Sequence, residues 1–141
     1  MIILDTNVVS ELMRSKPHPA VRAWMNAQSR DSLLTTAITI MELRAGVEKQ
    51  LQLHRRQELE AGIEWALNDL VGNRVLAYDR KAAFATAKWF GRRRRAGRTV
   101  ATTDMQIAGI AISRNIPIAT RDVDDFADIS VKLIDPWKAG S

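Results

Sequence analysis

Met1-Ile2-Ile3-Leu4-Asp5-Thr6-Asn7 opens the chain by setting a short apolar run directly against an acid. A run bounded this way predicts a buried strand of a parallel sheet, because a strand covered on both faces loses the alternation of a half-exposed one. Outward from it, helical spacing covers Val8 to Arg14 and Pro19 to Gln28, with Pro17 and Pro19 marking the break, and Ser32 to Thr35 reads as a second strand. Helical pattern resumes near Thr39 and runs, with a break near Gln52, to Leu70, where Gly72 and Asn73 stop it. A short strand over Arg74 to Ala77 follows, then a long helix from Asp79 to Ala96 that ends at Gly97. The remainder gives a helix from Thr102 to Arg114 and strands over Ile116 to Thr120 and Val131 to Ile134. Strands alternating with helices imply right-handed crossovers, so the expected fold class is α/β, an α/β/α domain with a central parallel sheet. No repeat, low-complexity tract or linker divides the sequence, and residues 1–141 are expected to form a single domain.

A chain of 141 residues can bury about two-thirds of its unfolded surface, enough for a core without staples. Cysteine is absent, which removes disulfides, thiolate metal sites and a thiol nucleophile and points to a reducing compartment. No cationic leader and no long apolar run is present, so neither export nor membrane insertion is expected and the cytoplasm is the expected location. The net charge of +5 is unevenly spread: Arg80, Lys81, Lys88, Arg92, Arg93, Arg94, Arg95 and Arg98 fall in one segment without an acid, which leaves −3 on the rest. A polyanion at one face and a carboxylate cluster at another both fit that asymmetry, as does a solvated basic surface.

In parallel sheets, functional groups collect at the carboxyl ends of the strands. That rule draws four separated acids together. Asp5 follows the first strand, Asp122 follows the strand ending at Thr120, Asp104 opens a helix, and Glu42 lies in the first turn of another. Each also has a purely local reading. Asp5 can cap the helix after it, Thr39 and Glu42 match a capping box, Asp104 suits a helix dipole, and Asp122 suits an Asx turn. Local readings do not explain why the topology brings all four to one edge. Carboxylates so gathered repel, by roughly 4 kcal/mol per pair at about 4 Å in an effective dielectric near 20, unless protonated or bridged by a cation. With oxygen donors alone, Mg²⁺ or Mn²⁺ is favoured over zinc. Such an ion can activate a water against a phosphodiester and neutralise transition-state charge, so no side-chain nucleophile is needed. His18 and His54 read as surface residues, and no Ser-His-Asp grouping, Walker loop or dinucleotide fingerprint occurs.

Four stretches together resemble the PIN-domain family, and within it the VapC toxins and their FitB-like relatives. Met1-Ile-Ile-Leu-Asp-Thr-Asn-Val-Val-Ser-Glu is similar to the family's opening motif and places its first acid on Asp5. Thr36-Ala-Ile-Thr-Ile-Met-Glu-Leu-Arg-Ala-Gly places the second on Glu42, and Thr103-Asp-Met-Gln-Ile-Ala-Gly-Ile-Ala the third on Asp104. Thr120-Arg-Asp-Val-Asp-Asp-Phe resembles the fourth motif, with Asp122 favoured and Asp125 as the other candidate, and the closing Asp135-Pro-Trp is like the end of FitB-like members.

The resemblance implies a Mg²⁺- or Mn²⁺-dependent endoribonuclease whose catalytic and metal-binding residues are Asp5, Glu42, Asp104 and Asp122. It further implies a homodimer silenced by a cognate VapB-like antitoxin, with promoter DNA bound only through the antitoxin. Thr6 and Thr103 fit as groups that orient a neighbouring carboxylate, or as helix caps. Arg92 to Arg95 fit phosphate contacts, although successive residues point around a helix and cannot all meet one ligand. Four tryptophans, Trp24, Trp65, Trp89 and Trp137, fit either the core or an interface. Two alternatives belong to other classes. One is a catalytically weak toxin-like partner in an antitoxin–DNA regulatory complex. The other is a phosphoryl-transfer or signalling domain using a strand-end aspartate, which Asp5-Thr6-Asn7 suits poorly for lack of a second acid.

Overall fold

The computed structural model describes residues 1–98 and 100–139. Strand β1 (Ile2–Leu4) leads into helix α1 (Thr6–Met13), and α2 (Pro19–Asn26) leads to β2 (Leu33–Thr36). Helices α3 (Ala37–Lys49) and α4 (Leu53–Trp65) precede β3 (Val75–Leu76). The chain then builds α5 (Arg80–Arg95), α6 (Thr102–Arg114), β4 (Ile118–Ala119) and β5 (Leu133–Ile134). The five strands pair in the order β3-β2-β1-β4-β5, and every pairing is parallel. The expected α/β/α architecture is thus present, with strands two to three residues shorter than the apolar runs at β4 and β5 suggest.

The pleat sorts the core into two layers. Ile3, Leu34 and Ile118 pack on one face with Ala82, Trp89, Ile107, Ile110 and Phe126, from α5, α6 and the turn after β4. Leu4, Leu33 and Ala119 face the other way, onto Val8, Val9, Leu12, Val21, Trp24 and Leu70. Successive strand residues on opposite faces, both buried, account for the unbroken apolar run that opens the chain.

Local chemistry sets most helix ends. His18 Nδ1 accepts from Ala20 N at 3.1 Å with Pro19 in the first turn of α2, so His18 is an exposed cap. His54 is likewise exposed and contacts Glu58 at 2.9 Å. Helix α3 starts two residues before the expected Thr39, because Thr36 is its cap and accepts from Thr39 N at 3.2 Å. The break near Gln52 separates α3 from α4, and α4 continues through one wide π-helical turn, Ala66–Leu70. Helix α6 ends on Asn115 in the left-handed conformation, φ 54°. Gly109 lets α6 approach α5: a Cβ there would overlap the Thr86 hydroxyl and lie 2.5 Å from the Ala82 carbonyl oxygen. Among the described residues no helix is long and apolar enough to cross a membrane.

Candidate active site

Parallel strands all end at the same edge, and the helices that return between them begin there. Asp5, directly after β1, is 2% exposed. Its Oδ1 accepts from Thr6 N at 2.8 Å, and its Oδ2 accepts from Thr120 Oγ1 at 2.7 Å and Asn7 Nδ2 at 3.3 Å. The cap reading of Asp5 is therefore correct, and it leaves the second carboxylate oxygen turned toward the loop after β4. Thr120 Oγ1 also accepts from Asp122 N at 3.0 Å, so the turn there is built by the threonine rather than by an Asx turn of Asp122. Asn7 Nδ2 reaches Asp122 Oδ2 at 3.0 Å, which links the two acids through one amide.

Glu42 departs from its local reading. Thr36 rather than Thr39 caps α3, and Glu42 Oε1 instead accepts from Thr6 Oγ1 at 2.7 Å, while Thr6 and Thr39 share a hydrogen bond of 3.0 Å. Thr6 thus orients Glu42 as expected. Asp104 lies in the first turn of α6, partly buried, and Ala101 caps that helix without a side-chain bond. Thr103 occupies the same turn and is not the cap.

Asp104 and Asp5 each sense the charges of other acids at this edge. Burial pushes the Asp104 carboxyl up to about 7, helped by the charges of Asp5, Glu42, Asp122 and Asp125. Burial also raises Asp5, to about 6, against the lowering effect of the Thr120 and Thr6 hydrogen bonds and with the charges of Asp122 and Glu42 adding to the rise. Asp122 and Asp125 are both exposed, but Asp122 alone is tied to Asp5 through Asn7. Among the described residues no three acids already enclose a metal-sized point. Mg²⁺ needs less, since it commonly takes one or two carboxylates and keeps several waters. The all-oxygen donor set, with its mutual repulsion, fits such an ion.

Sequence reasoning passed over Asn7 and Thr120, although both stand beside singled-out acids. It also offered the Arg92 to Arg95 run for phosphate contacts, without deciding which of the four face outward. Arg93 is removed from that role: it is 5% exposed, lies 5.1 Å from the Trp89 ring centroid, and donates to the carbonyls of Ala127 (2.7 Å) and Asp125 (3.0 Å). Its neighbours Arg92, Arg94 and Arg95 are exposed. Trp89 is 1% exposed and stacks on Phe126 with centroids 6.2 Å apart, while Trp65 and Trp137 are partly buried.

Helices on both faces of a parallel five-stranded sheet, with interacting carboxylates at its carboxyl edge, define an α/β/α domain with an acidic edge site. The chain belongs to the PIN domain family, which matches residues 2–132. It is similar to the plasmid stability protein StbB of Pseudomonas syringae pv. tomato, with 38% identity over 99% of this chain and all of that one. The VapC ribonuclease Y4jK of Sinorhizobium fredii is 34% identical, over 98% of this chain and 99% of the relative. Toxin FitB of Neisseria gonorrhoeae is 33% identical over 97% and 99% of the two chains. The crystal structure of FitAcB from that organism matches with a TM-score of 0.87 at 33% identity, covering 98% of this chain and 99% of that one.

Proposed function

We propose that this chain is a Mg²⁺- or Mn²⁺-dependent endoribonuclease of the VapC type, the toxin of a VapBC-type toxin–antitoxin module. The observation that carries the reading is the gathering of Asp104 with Asp5, Glu42 and Asp122 at one sheet edge, where burial first and then the charges of those acids and of Asp125 raise the Asp104 carboxyl. A carboxyl so placed is only partly ionised near neutral pH, and a bound cation would favour its charged form. Similarity to a VapC ribonuclease and to toxin FitB over nearly the full chain supports the same reading.

Asp5, Glu42, Asp104 and Asp122 would hold the ion, which when bound supplies charge neutralisation at a phosphodiester and activates water. The chain's own residues do the rest. Thr6 and Thr120 aim Glu42 and Asp5 by hydroxyl donation, Asn7 fixes Asp122 against Asp5, and the buried Thr39 backs Thr6. The proposed partners are a VapB-like antitoxin, which alone brings promoter DNA, and a second copy of this chain; the proposed location is the cytoplasm. A phosphoacceptor role for Asp5 is disfavoured, since Asp5-Thr6-Asn7 supplies no second acid beside it.

Incubation with total bacterial RNA in Mg²⁺ or Mn²⁺ tests the proposal. Cleavage that stops with EDTA and with Asp104→Asn is expected. Cleavage indifferent to EDTA would overturn the metal dependence, and no cleavage by the purified, antitoxin-free chain would favour the catalytically weak partner.

A further inference from the structure

A cleft of about 900 Å³ opens next to this edge; of the four acids Glu42 lines it, together with Thr6, Asn7, Arg121 and Trp137. A polyanion brought to four carboxylates needs cationic contacts nearby, so the cations of this cleft decide whether RNA can use it. Arg14 and Arg55 also line it, but each already faces an acid, Arg14 with Glu11 at 3.2 Å and Arg55 with Glu58 at 3.6 Å. Arg121 is different. Among the described residues it has no carboxylate partner; its guanidinium lies 5.0 Å from the Trp137 ring centroid, and it is exposed.

A cation held over an aromatic face keeps its charge and its donors at the rim of the guanidinium plane, where an anion can take them. The support beneath is firm. Asp135 Oδ1 accepts from Trp137 N at 2.9 Å, and the Arg121 backbone N–H donates to Asn7 Oδ1 at 3.3 Å. Asn7 is the residue whose amide also joins Asp5 to Asp122. One side chain therefore sets both the acids and the arginine adjacent to them. The long basic helix α5 contributes no residue to this cleft.

Resting on the ribonuclease reading above, we infer that Arg121 binds a phosphate of the RNA strand next to the cleavage point, by a forked hydrogen bond, with Trp137 as the positioning residue that holds its arm. The substrate strand then runs through this cleft rather than along the arginine run of α5.

The test is steady-state cleavage of a labelled single-stranded RNA by the full chain with Mn²⁺, at several salt concentrations. Arg121→Gln should raise KM about tenfold or more, the loss of one charge-assisted contact, with kcat within about twofold. Its salt dependence should flatten by about 0.7 in slope, the share of one single-strand phosphate. Arg121→Lys should keep the slope with an intermediate KM, since it retains charge and loses the fork. Trp137→Leu should raise KM less than Arg121→Gln. Thermal melting checks that each variant is folded, and because Arg121 is exposed its variants should melt with the parent. Parent KM and slope in Arg121→Gln would overturn the assignment, as would a loss confined to kcat. RNA kinetics left intact while a VapB-like antitoxin loses affinity would place Arg121 in the partner interface instead and equally overturn it. A parent chain that neither binds nor cleaves RNA would bring down the ribonuclease reading itself, whereas an active parent with an indifferent Arg121→Gln brings down this inference alone.

Discussion

The Thr120 hydroxyl donates to Asp5 Oδ2 at 2.7 Å across 115 residues of chain, and Thr120 Oγ1 in turn accepts from Asp122 N at 3.0 Å. One hydroxyl therefore fixes a buried acid and the loop that carries an exposed one.

Thr120→Val keeps the shape and removes both bonds. Because the Thr120 bond lowers the Asp5 carboxyl, that group should rise further above about 6 and compete less well for a cation at neutral pH. Calorimetric Mn²⁺ titration should show affinity reduced about tenfold, the usual cost of losing a group that orients a ligand. Thr120→Ser should restore it. Parent affinity in the valine variant would show that Thr120 serves the fold alone.

Stability without metal should fall as pH rises. The Asp104 and Asp5 carboxyls are raised from an ordinary value of 3.8 to about 7 and about 6 in the folded chain, so between about pH 4 and 7 the unfolded state has released protons that the native state retains. The native state is penalised through that window, and the penalty is complete above the folded values. Asp104→Asn should then raise the melting temperature near pH 8, by an amount equivalent to roughly 1–2 kcal/mol after discounting for solvent around this partly buried group. Near pH 4 it should change little. A melting temperature lowered at both pH values would contradict the repulsion.

Arg93 should behave as a core residue despite lying in an arginine run. Arg93→Met removes its bonds to the Ala127 and Asp125 carbonyls, so urea unfolding should report a loss of about 2–4 kcal/mol. Arg94→Gln, on the exposed side of the same turn, should stay within roughly 0.5 kcal/mol of the parent. Equal effects from the two would contradict the burial.

Gly109→Ala should be among the most damaging single substitutions outside the site. Its new methyl meets the Thr86 hydroxyl and the Ala82 backbone, and backbone cannot step aside, so a loss of about 3 kcal/mol or more is expected by thermal denaturation. Adding Thr86→Ala should recover only part of it, because the carbonyl remains. Full recovery would place the clash wholly on the threonine.

Much of the fold was legible because it rests on local signals: the apolar strand runs, the prolines before α2, and glycine after α5. The positions of Asp5 and Asp122 after strands and of Asp104 in a first turn were legible, whereas Glu42, expected in the first turn of α3, lies in its second because the helix starts at Ala37. The cap of α3 was not, since Thr35, Thr36 and Thr39 all offer the same hydroxyl and only the backbone path chooses Thr36. Nor was the fate of the arginine run, which depends on Trp89 and on carbonyls more than thirty residues away. Asn7 and Thr120 escaped notice for the same reason: their partners lie at the other end of the chain, where spacing carries no information.

Strand β1 sits between β2 and β4, so it gains its second neighbour only after α6 and β4 have been synthesised. Asp5 consequently meets Thr120 and Asp122 only once β4 and the loop after it have been made. A nascent chain that stops before β4 carries Asp5, Glu42 and Asp104 without Asp122, so the acidic edge is assembled only once that last loop is made.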